Sequence, residues 1–308
     1  MKRTARLAIL TVLHSLLLPM TARASGPVPD FRVSRIGIRE EQATDVIRMK
    51  VEQTFQSEFR TGQGSVAPGL PNNNTNTWHY ELLYTHRFTV NEQWHLRLGL
   101  DLDRRDFGDN RSDAPTAIQC YAGILALEYS PTRQTRLFIA SHPGIYLVHD
   151  IRTAVFDIPT AIGGIFPLVD DKVYLAAGVS LSMLRSYPVL PIGGIIWHIN
   201  DVWDLEACLP NPRIYFKASE TLQCWAGGEL TGGAFRTDGA TKAALNEATV
   251  TYFEIRVGAG VIYTGWKGLA VDFGCGWAFE RKFDMHRAHA VIATEGAPFV
   301  QLTLSAAF

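Results

Sequence analysis

The chain has 308 residues and carries 29 Lys and Arg against 30 Asp and Glu, so it is nearly neutral. Because proteins that bind nucleic acid need a basic surplus to neutralise phosphates, this balance excludes nucleic acid as a partner. The four cysteines are an even number, but their spacings match no zinc or C-x-x-C motif.

The first 24 residues have the organisation of a secretory signal peptide. Basic residues precede a mostly apolar run from Leu7 to Leu18, and the sequence Ala22-Arg23-Ala24 fits an A-x-A cleavage site. The run is shorter than the ~18 apolar residues that a membrane-spanning helix needs. The sequence therefore predicts cleavage after Ala24 and export. A periplasmic lead-in at 25–46 and one domain at 47–308 should follow.

Beyond the signal peptide, apolar and polar residues alternate with the two-residue period of β-strands. Between Gln93 and Asp103, Trp and Leu occupy one face, whereas His, Arg and Asp occupy the other. A helix would need a period near 3.6 residues. No later apolar run is long enough for a membrane-spanning helix, so a membrane protein with this pattern must be a closed barrel. The alternative is a soluble, exported β-sandwich. Comparable segments lie at 49–59, 78–88, 173–183, 252–263 and 269–280.

Short and long connections alternate between these segments, as expected when turns and loops lie on opposite rims of an outer-membrane barrel. The short turns fall near Asn91, Pro131, Asp170, Asn200, Glu220 and Trp266. The other, mostly longer connections fall at 61–76, 104–116, 149–153, 185–189, 209–212, 237–247 and 284–296. The pattern predicts an all-β fold, a single antiparallel up-and-down transmembrane barrel with 14 strands.

Two regions leave the strand count open. Pro143, Gly144 and Pro159 lie within predicted strands, where a closed sheet accepts proline only at a bulge. The segments 203–208 and 213–218 are shorter than the ~9–11 residues that a strand needs to cross a membrane. If these two segments form a hairpin within a loop, the barrel has 12 strands.

Charged residues of the alternating pattern share the face that should line the lumen. A hydrated channel and a lumen filled by ion pairs would both give this pattern. About eight strands already suffice to fill a barrel with side chains, so fourteen favour an open or loop-plugged interior. Charges of both signs indicate no ion selectivity. The candidate lumen-lining residues are Glu81, Arg97, Asp101, Asp103, Glu229, Glu254, Arg256 and Asp272.

Other residue types are assigned by parity and by position along the strands. Cys224 and Cys275 should face lipid, whereas Cys120 and Cys208 should face inward, so we expect free thiols. Aromatic rings near strand ends are expected at the membrane interface. These are Trp78, Phe88, Trp94, Trp197, Trp203, Trp225, Trp277 and Phe308.

The sequence contains no motif that assigns a catalytic, cofactor or metal site. Ser141 and His142 are neighbours on a strand and should point to opposite faces. His286 and His289 fall in a predicted outer loop without a recognisable partner. The glycines at 227–233 and 258–276 alternate within strands and do not form a phosphate loop. We predict a protein that is not an enzyme and has no cofactor.

The segment 298–308 alternates strictly, with Leu302, Leu304 and Phe308 on its apolar face. It resembles the last strand of bacterial outer-membrane barrels, which ends in Phe and is taken as the signal for the assembly machinery. The resemblance implies an outer membrane of the Gram-negative type as the location. It also implies that these residues are recognised by the barrel-assembly machinery. An even strand count and short turns on one rim place the last strand at the periplasmic edge, where we expect it to close the barrel against 49–59.

A second resemblance lies in the segments Pro188-Val-Leu-Pro-Ile-Gly-Gly-Ile-Ile-Trp197, Trp203-Asp-Leu-Glu, Leu209-Pro-Asn-Pro-Arg213 and Ala226-Gly-Gly-Glu229. They resemble a family of outer-membrane barrels known only as a domain of unknown function, which implies a fold but no activity.

We therefore expect a passive porin or transport-type channel for small solutes, surrounded by outer-membrane lipid. A non-conducting surface scaffold or adhesion anchor is the alternative, and an outer-membrane hydrolase comes third. The oligomeric state is left open.

Overall fold

The structure is a computed structural model. It describes residues 43–61, 74–108, 114–148, 154–185, 187–236, 249–285 and 290–308. The predicted signal peptide, nearly all of the predicted lead-in, and His286 and His289 lie outside these ranges. In the described part of the chain, no helix has the length and apolar character needed to cross a membrane.

The described residues form one antiparallel sheet of eighteen strand segments. They are β1 (Asp45–Thr61), β2 (Asn74–Thr89), β3 (Trp94–Asp106), β4 (Ala117–Tyr129), β5 (Arg136–Ser141), β6 (Gly144–Val148), β7 (Val155–Asp157), β8 (Thr160–Val169), β9 (Val173–Leu181), β10 (Val189–His198), β11 (Trp203–Leu209), β12 (Arg213–Lys217), β13 (Leu222–Arg236), β14 (Thr249–Trp266), β15 (Leu269–Ala278), β16 (Lys282–Met285), β17 (Ala290–Thr294) and β18 (Ala297–Ala307).

Four strands of the barrel consist of two segments each, so the eighteen segments build fourteen strands of a closed barrel. The paired segments are β5 with β6, β7 with β8, β15 with β16, and β17 with β18. The prediction of an antiparallel 14-stranded barrel is confirmed.

The sheet closes between β1 and β18. Met49 lies opposite Leu304 and Val51 lies opposite Leu302, while the other edge of β1 pairs with β2. At the short-turn rim, the backbone N–H of Asp45 donates to the carbonyl oxygen of Phe308 at 2.9 Å. The strand that contains Leu302 and Leu304 therefore pairs with the first strand, as its sequence indicated.

The short strands β11 and β12 belong to the wall, because β11 pairs with β10 and β12 pairs with β13. The 12-strand alternative is therefore wrong. Backbone pairing continues past the end of β12, where the N–H of Gly228 donates to the carbonyl oxygen of Pro212 at 2.8 Å. On β10, a Cβ on Gly194 would lie 2.0 Å from the carbonyl oxygen of Ala207 on β11, so only glycine fits there.

The two prolines interrupt their strands without opening the wall. Pro143 lies between β5 and β6, and Pro159 lies between β7 and β8. The N–H of His142 donates to the carbonyl oxygen of Pro159 at 2.8 Å, so the two irregularities face each other and still pair. Within the predicted connection at 284–296, the described residues 284–285 and 290–294 are strand. There β16 and β17 pair through Phe283 and Ile292, which are both buried in the barrel interior.

Side chains on the outer face of the sheet are mostly apolar and exposed. Across the closure, Val51, Leu302 and Phe273 are 41%, 42% and 55% exposed, as expected of a surface that lipid covers. Seven of the eight aromatic rings that were predicted at the interface are exposed. Trp225 is only 5% exposed and lies in the lumen, so that prediction is wrong.

The parity prediction for the cysteines agrees with the structure. Cys275 is exposed on the outer face and Cys224 is half-buried, whereas Cys120 and Cys208 are buried. None of the four cysteines, all of which lie in the described ranges, forms a disulfide.

Replacement of Leu302 by Arg should lower the free energy of unfolding by about 2–4 kcal/mol if this outward position lies near the bilayer centre, because a charge there must leave water. Urea unfolding of the barrel in lipid vesicles would measure the loss. Leu302→Ala, which removes apolar area without adding charge, is the control and should cost clearly less. Equal losses in both variants would contradict a lipid-facing position.

Candidate functional site: the barrel lumen

The inner face of the barrel carries two groups of side chains in contact. Towards the long-loop rim lies the aromatic cluster, which we define as Phe59, Phe107, Tyr252 and Phe283. Next to it, towards the short-turn rim, lies the ionic cluster, which we define as Lys50, Glu52, Glu229, Glu254 and Arg256.

The aromatic cluster joins rings from four walls of the barrel. The ring centroid of Phe107 lies 4.8 Å from that of Phe283 and 5.4 Å from that of Tyr252. Phe59 lies 6.0 Å from Phe283. These separations are typical of packed aromatic pairs. Phe107 and Phe283 are 0% exposed, so the rings fill this end of the lumen rather than line an opening.

Walls on opposite sides of the lumen also meet near the long-loop rim. Tyr146 of β6 and Phe235 of β13 have ring centroids 6.2 Å apart, although several strands separate β6 from β13 along either arc of the sheet. The barrel is therefore flattened at this level. Leu184, between β9 and β10, packs against the same apolar group.

The chain between β9 and β10 is held against the wall by Asp157. The hydroxyl of Ser182 donates to Asp157 Oδ2 at 2.5 Å, and the backbone N–H of Met183 donates to Oδ1 at 3.3 Å. Arg185 is buried beside them and donates to Ser180 Oγ at 3.0 Å. Burial lowers the pKa of Arg185 to about 10, so its guanidinium keeps its charge at neutral pH.

Arg256 is the centre of the ionic cluster. Its guanidinium donates to Glu52 of β1 and, at 2.9 Å, to Glu254 of its own strand. Lys50 lies 3.2 Å from Glu52 and 3.8 Å from Glu229 of β13. The cluster thus ties β1 to β13 and β14 from inside the barrel, and Arg256 and both of its carboxylate partners are at most 3% exposed.

The two clusters are in direct contact. The hydroxyl of Tyr252 donates to Glu254 Oε2 at 2.5 Å, so one residue of the aromatic cluster satisfies a carboxylate of the ionic cluster. The guanidinium carbon of Arg105 lies 5.3 Å from the centroid of the Tyr252 ring. Arg105 also donates across the lumen to the hydroxyl of Thr231 at 2.7 Å.

Trp225 lies flat against the inner wall because two glycines make room for it. A Cβ on Gly260 or on Gly274 would lie 2.7 Å from the Trp225 ring. The indole N–H donates to Asp272 at 2.8 Å, and the guanidinium of Arg213 stacks on the ring at 4.1 Å. This wall is therefore an aromatic surface with one cation on it.

Several buried polar atoms of the lumen accept or donate no hydrogen bond within the part of the chain that the structure describes. Two of them, Glu254 Oε1 and Arg256 Nε, belong to the ionic cluster. Others nearby include Arg105 Nε, His79 Nδ1 and Gln301 Oε1. Buried polar atoms are normally satisfied by protein or by ordered water.

Five of the eight residues selected from the sequence as lumen-lining lie in or beside the structures described above. Glu229, Glu254 and Arg256 belong to the ionic cluster. Asp103 binds His79, and Asp272 binds Trp225.

The remaining three selected residues are Arg97, Asp101 and Glu81. They lie on the side of the two clusters that faces the short-turn rim. Arg97 donates to Glu128 at 3.1 Å, and Asp101 lies 3.6 Å from His142. Glu81 lies opposite Asp103 on the neighbouring strand. Sequence reasoning missed the aromatic cluster and Trp225. The sequence signal that could have placed Trp225 inside the barrel was the pair Gly260 and Gly274, which leave room for its ring.

A closed antiparallel sheet with an apolar outer face and a charged inner face defines a transmembrane β-barrel of the outer-membrane type. The chain is thus built as an outer-membrane protein. No family model and no curated protein sequence matches it.

Three solved structures of similar shape are distant in sequence. An outer membrane channel from Pseudomonas putida F1 is 10% identical, with a TM-score of 0.47 over 92% of this chain and 100% of that chain. The Pseudomonas putida toluene transporter TodX is 9% identical, with a TM-score of 0.44 over 86% and 90%. LpxR from Salmonella typhimurium is 9% identical, with a TM-score of 0.40 over 85% and 100%. At these values, no functional property follows from the similarities.

Replacement of Arg256 by Met should lower the free energy of unfolding by about 3–5 kcal/mol, because it removes the guanidinium that two buried carboxylates share. Among the described residues, Glu52 then keeps only Lys50, and Glu254 keeps only the Tyr252 hydroxyl. Arg104, whose ion pair with Asp106 is exposed on the outer face, provides the control. Arg104→Met should cost at most about 1 kcal/mol. Urea unfolding of both variants measures the difference, and equal losses would show that the ionic cluster is not desolvated.

Proposed function

We propose that the protein is a transport-type channel for small solutes, with a lumen that is closed at its long-loop end in this conformation. The path runs along the ionic cluster and the Trp225 wall and is blocked by the aromatic cluster. No catalytic residue and no cofactor enter this proposal.

The observation that supports transport is the set of buried charges whose hydrogen bonds are incomplete. Ion pairs buried in an interior contribute little net stability compared with well-packed apolar side chains. A lumen filled for stability alone would therefore favour apolar side chains. Ionisable groups at membrane depth usually mark pathways for solutes. Glu254 and Arg256 each keep one polar atom without a hydrogen bond among the described residues. We propose that each binds a solute or its water when the lumen opens.

The charges of the ionic cluster have both signs and lie within a few ångströms of one another. A solute with a single charge meets attraction and repulsion along the same short segment. We therefore propose weak selectivity between anions and cations, and passage of polar or zwitterionic solutes. Movement of the aromatic cluster is the step that would admit them.

A filled lumen is also the observation that favours the second candidate, a non-conducting barrel that serves as a surface scaffold. In that protein the aromatic cluster would be permanent packing, as in a soluble core. The two candidates predict different ionic conductances once the rings of the aromatic cluster are removed. A conductance measurement on one variant therefore separates them.

For assembly, we propose that Leu302, Leu304 and Phe308 form the signal for the barrel-assembly machinery. Support comes from their position on the outer face of the closing strand, where they are 42%, 45% and 68% exposed and available to a membrane-embedded partner. We also retain export through a signal peptide that is cleaved after Ala24 as part of the proposal.

The double variant Phe107→Ala and Phe283→Ala should raise the ionic conductance of the barrel in planar bilayers severalfold over the wild type, because it removes the two central rings of the aromatic cluster. Phe273→Ala is the matched control, since it removes a ring from the lipid-facing surface of β15. It should leave conductance unchanged. Heat-modifiable migration in gel electrophoresis verifies that each variant is folded.

If the wild type and the double variant are both folded and neither conducts ions nor admits small sugars in liposome swelling, the scaffold is the better account. A conductance gain in Phe273→Ala equal to that of the double variant would indicate a general loss of wall integrity and would contradict the proposed gate.

A further inference from the structure

Three potential metal ligands meet on the inner wall beside the ionic cluster. Glu81 of β2 lies directly opposite Asp103 of β3, and His79 points to the same face as Glu81 because it is two residues away. His79 Nε2 lies 2.8 Å from Asp103 Oδ2. One ligand atom from each of the three residues lies within 4.8 Å of the other two.

We infer that His79, Glu81 and Asp103 form a binding site for a divalent transition-metal ion, with Zn²⁺ as the best fit. Zn²⁺ accepts imidazole nitrogen and carboxylate oxygen at roughly 2.0–2.2 Å, which places its ligands about 3–4 Å apart. Small side-chain rotations bring the three atoms to that spacing. Mg²⁺ prefers an all-oxygen, octahedral shell and should bind poorly to a set that includes a histidine.

Electrostatics supply a reason for a cation at this position. Two carboxylates directly opposite each other on neighbouring strands repel. Lys50 lies opposite Glu81 on β1, but its ammonium is directed towards Glu52 and Glu229. Arg105 comes only to 3.8 Å from Asp103. Lys50 is therefore committed to the ionic cluster, and Arg105 is only a distant partner of Asp103.

The burial of the ligands fits a site that an ion can reach. His79 is 3% exposed and turns Nε2 towards the carboxylates, whereas its Nδ1 hydrogen-bonds to none of the described residues. The side chain of Asp103 is 26% exposed, so the ion can enter from water in the lumen and keep water as its remaining ligands.

Two features set the expected affinity. Tight sites usually hold the second nitrogen of a ligating histidine by a hydrogen bond, and Nδ1 has none in the described part of the chain. Arg48 also acts on Glu81 electrostatically and competes with a metal ion. We therefore expect moderate affinity and a site that exchanges its metal. The proposed metal site does not depend on whether the barrel conducts ions.

Isothermal titration calorimetry with ZnCl₂ and with MgCl₂ on the refolded full barrel in detergent, after EDTA treatment and dialysis, tests the site. The background carries Cys275→Ser, because the exposed thiol of Cys275 can bind zinc by itself. His79→Gln, Glu81→Gln and Asp103→Asn are the site variants. His198→Gln is the matched control, since His198 also binds a lumen carboxylate, Asp204, at 2.5 Å.

The expected result is one saturable Zn²⁺ site per barrel, weakened about tenfold or more by His79→Gln and by Asp103→Asn and unchanged by His198→Gln. Glu81→Gln provides an independent reading if either of those variants fails the heat-modifiability test for folding. His286 and His289 are present in all variants, so any zinc binding by these two residues is the same in each titration. The inference is overturned if the wild type shows no saturable binding, if the folded site variants bind as the wild type does, or if His198→Gln loses as much affinity.

Discussion

Closure of the sheet between β1 and β18 is the constraint on which the rest of the structure depends. An open edge in lipid would leave a row of N–H and C=O groups without partners, at a cost of several kcal/mol each. Pairing of Val46–Thr54 with Phe299–Ala307 removes that edge. Once the sheet is closed, each side chain must face either lipid or the lumen, because alternation along a strand offers no third direction. The two faces then differ in chemistry, with apolar side chains outside and charged side chains within.

The lumen is filled although fourteen strands could enclose a wide opening. Flattening reduces the space, as the approach of Tyr146 to Phe235 shows, and long side chains fill what remains. Arginine serves this purpose well, because its stem packs while its planar head reaches several carboxylates or an aromatic face. Arg256 bonds to Glu52 and Glu254 and lies over Phe299 at 5.4 Å. The same residues that fill the barrel therefore give it a charged interior.

Alternation and turn spacing favoured fourteen strands and predicted the closure and the direction in which each cysteine points, since all of these follow from local period. The short segments β11 and β12 left twelve strands open, because pairing with their neighbours cannot be read from segment length. Contacts across the lumen are not local. The tilt of the strands and the flattening of the barrel decide that Arg105 meets Thr231 and that Phe107 meets Phe283, and neither is encoded in one strand alone. Trp225 was misplaced because its ring looked like an interface residue. Its place inside depends on Gly260 and Gly274, which are distant in sequence.

The aromatic and ionic clusters constrain each other. Tyr252 donates its hydroxyl to Glu254, so movement of that ring away from the lumen would remove a hydrogen bond from a carboxylate that is 0% exposed. A buried carboxylate that loses a donor must gain water or another cation, because its desolvation would otherwise be uncompensated. In the channel that we propose, opening of the aromatic cluster and hydration of the ionic cluster would therefore be one event. A solute or ion that supplies the missing partner would stabilise the open arrangement, which would link the charge of the lumen to its accessibility.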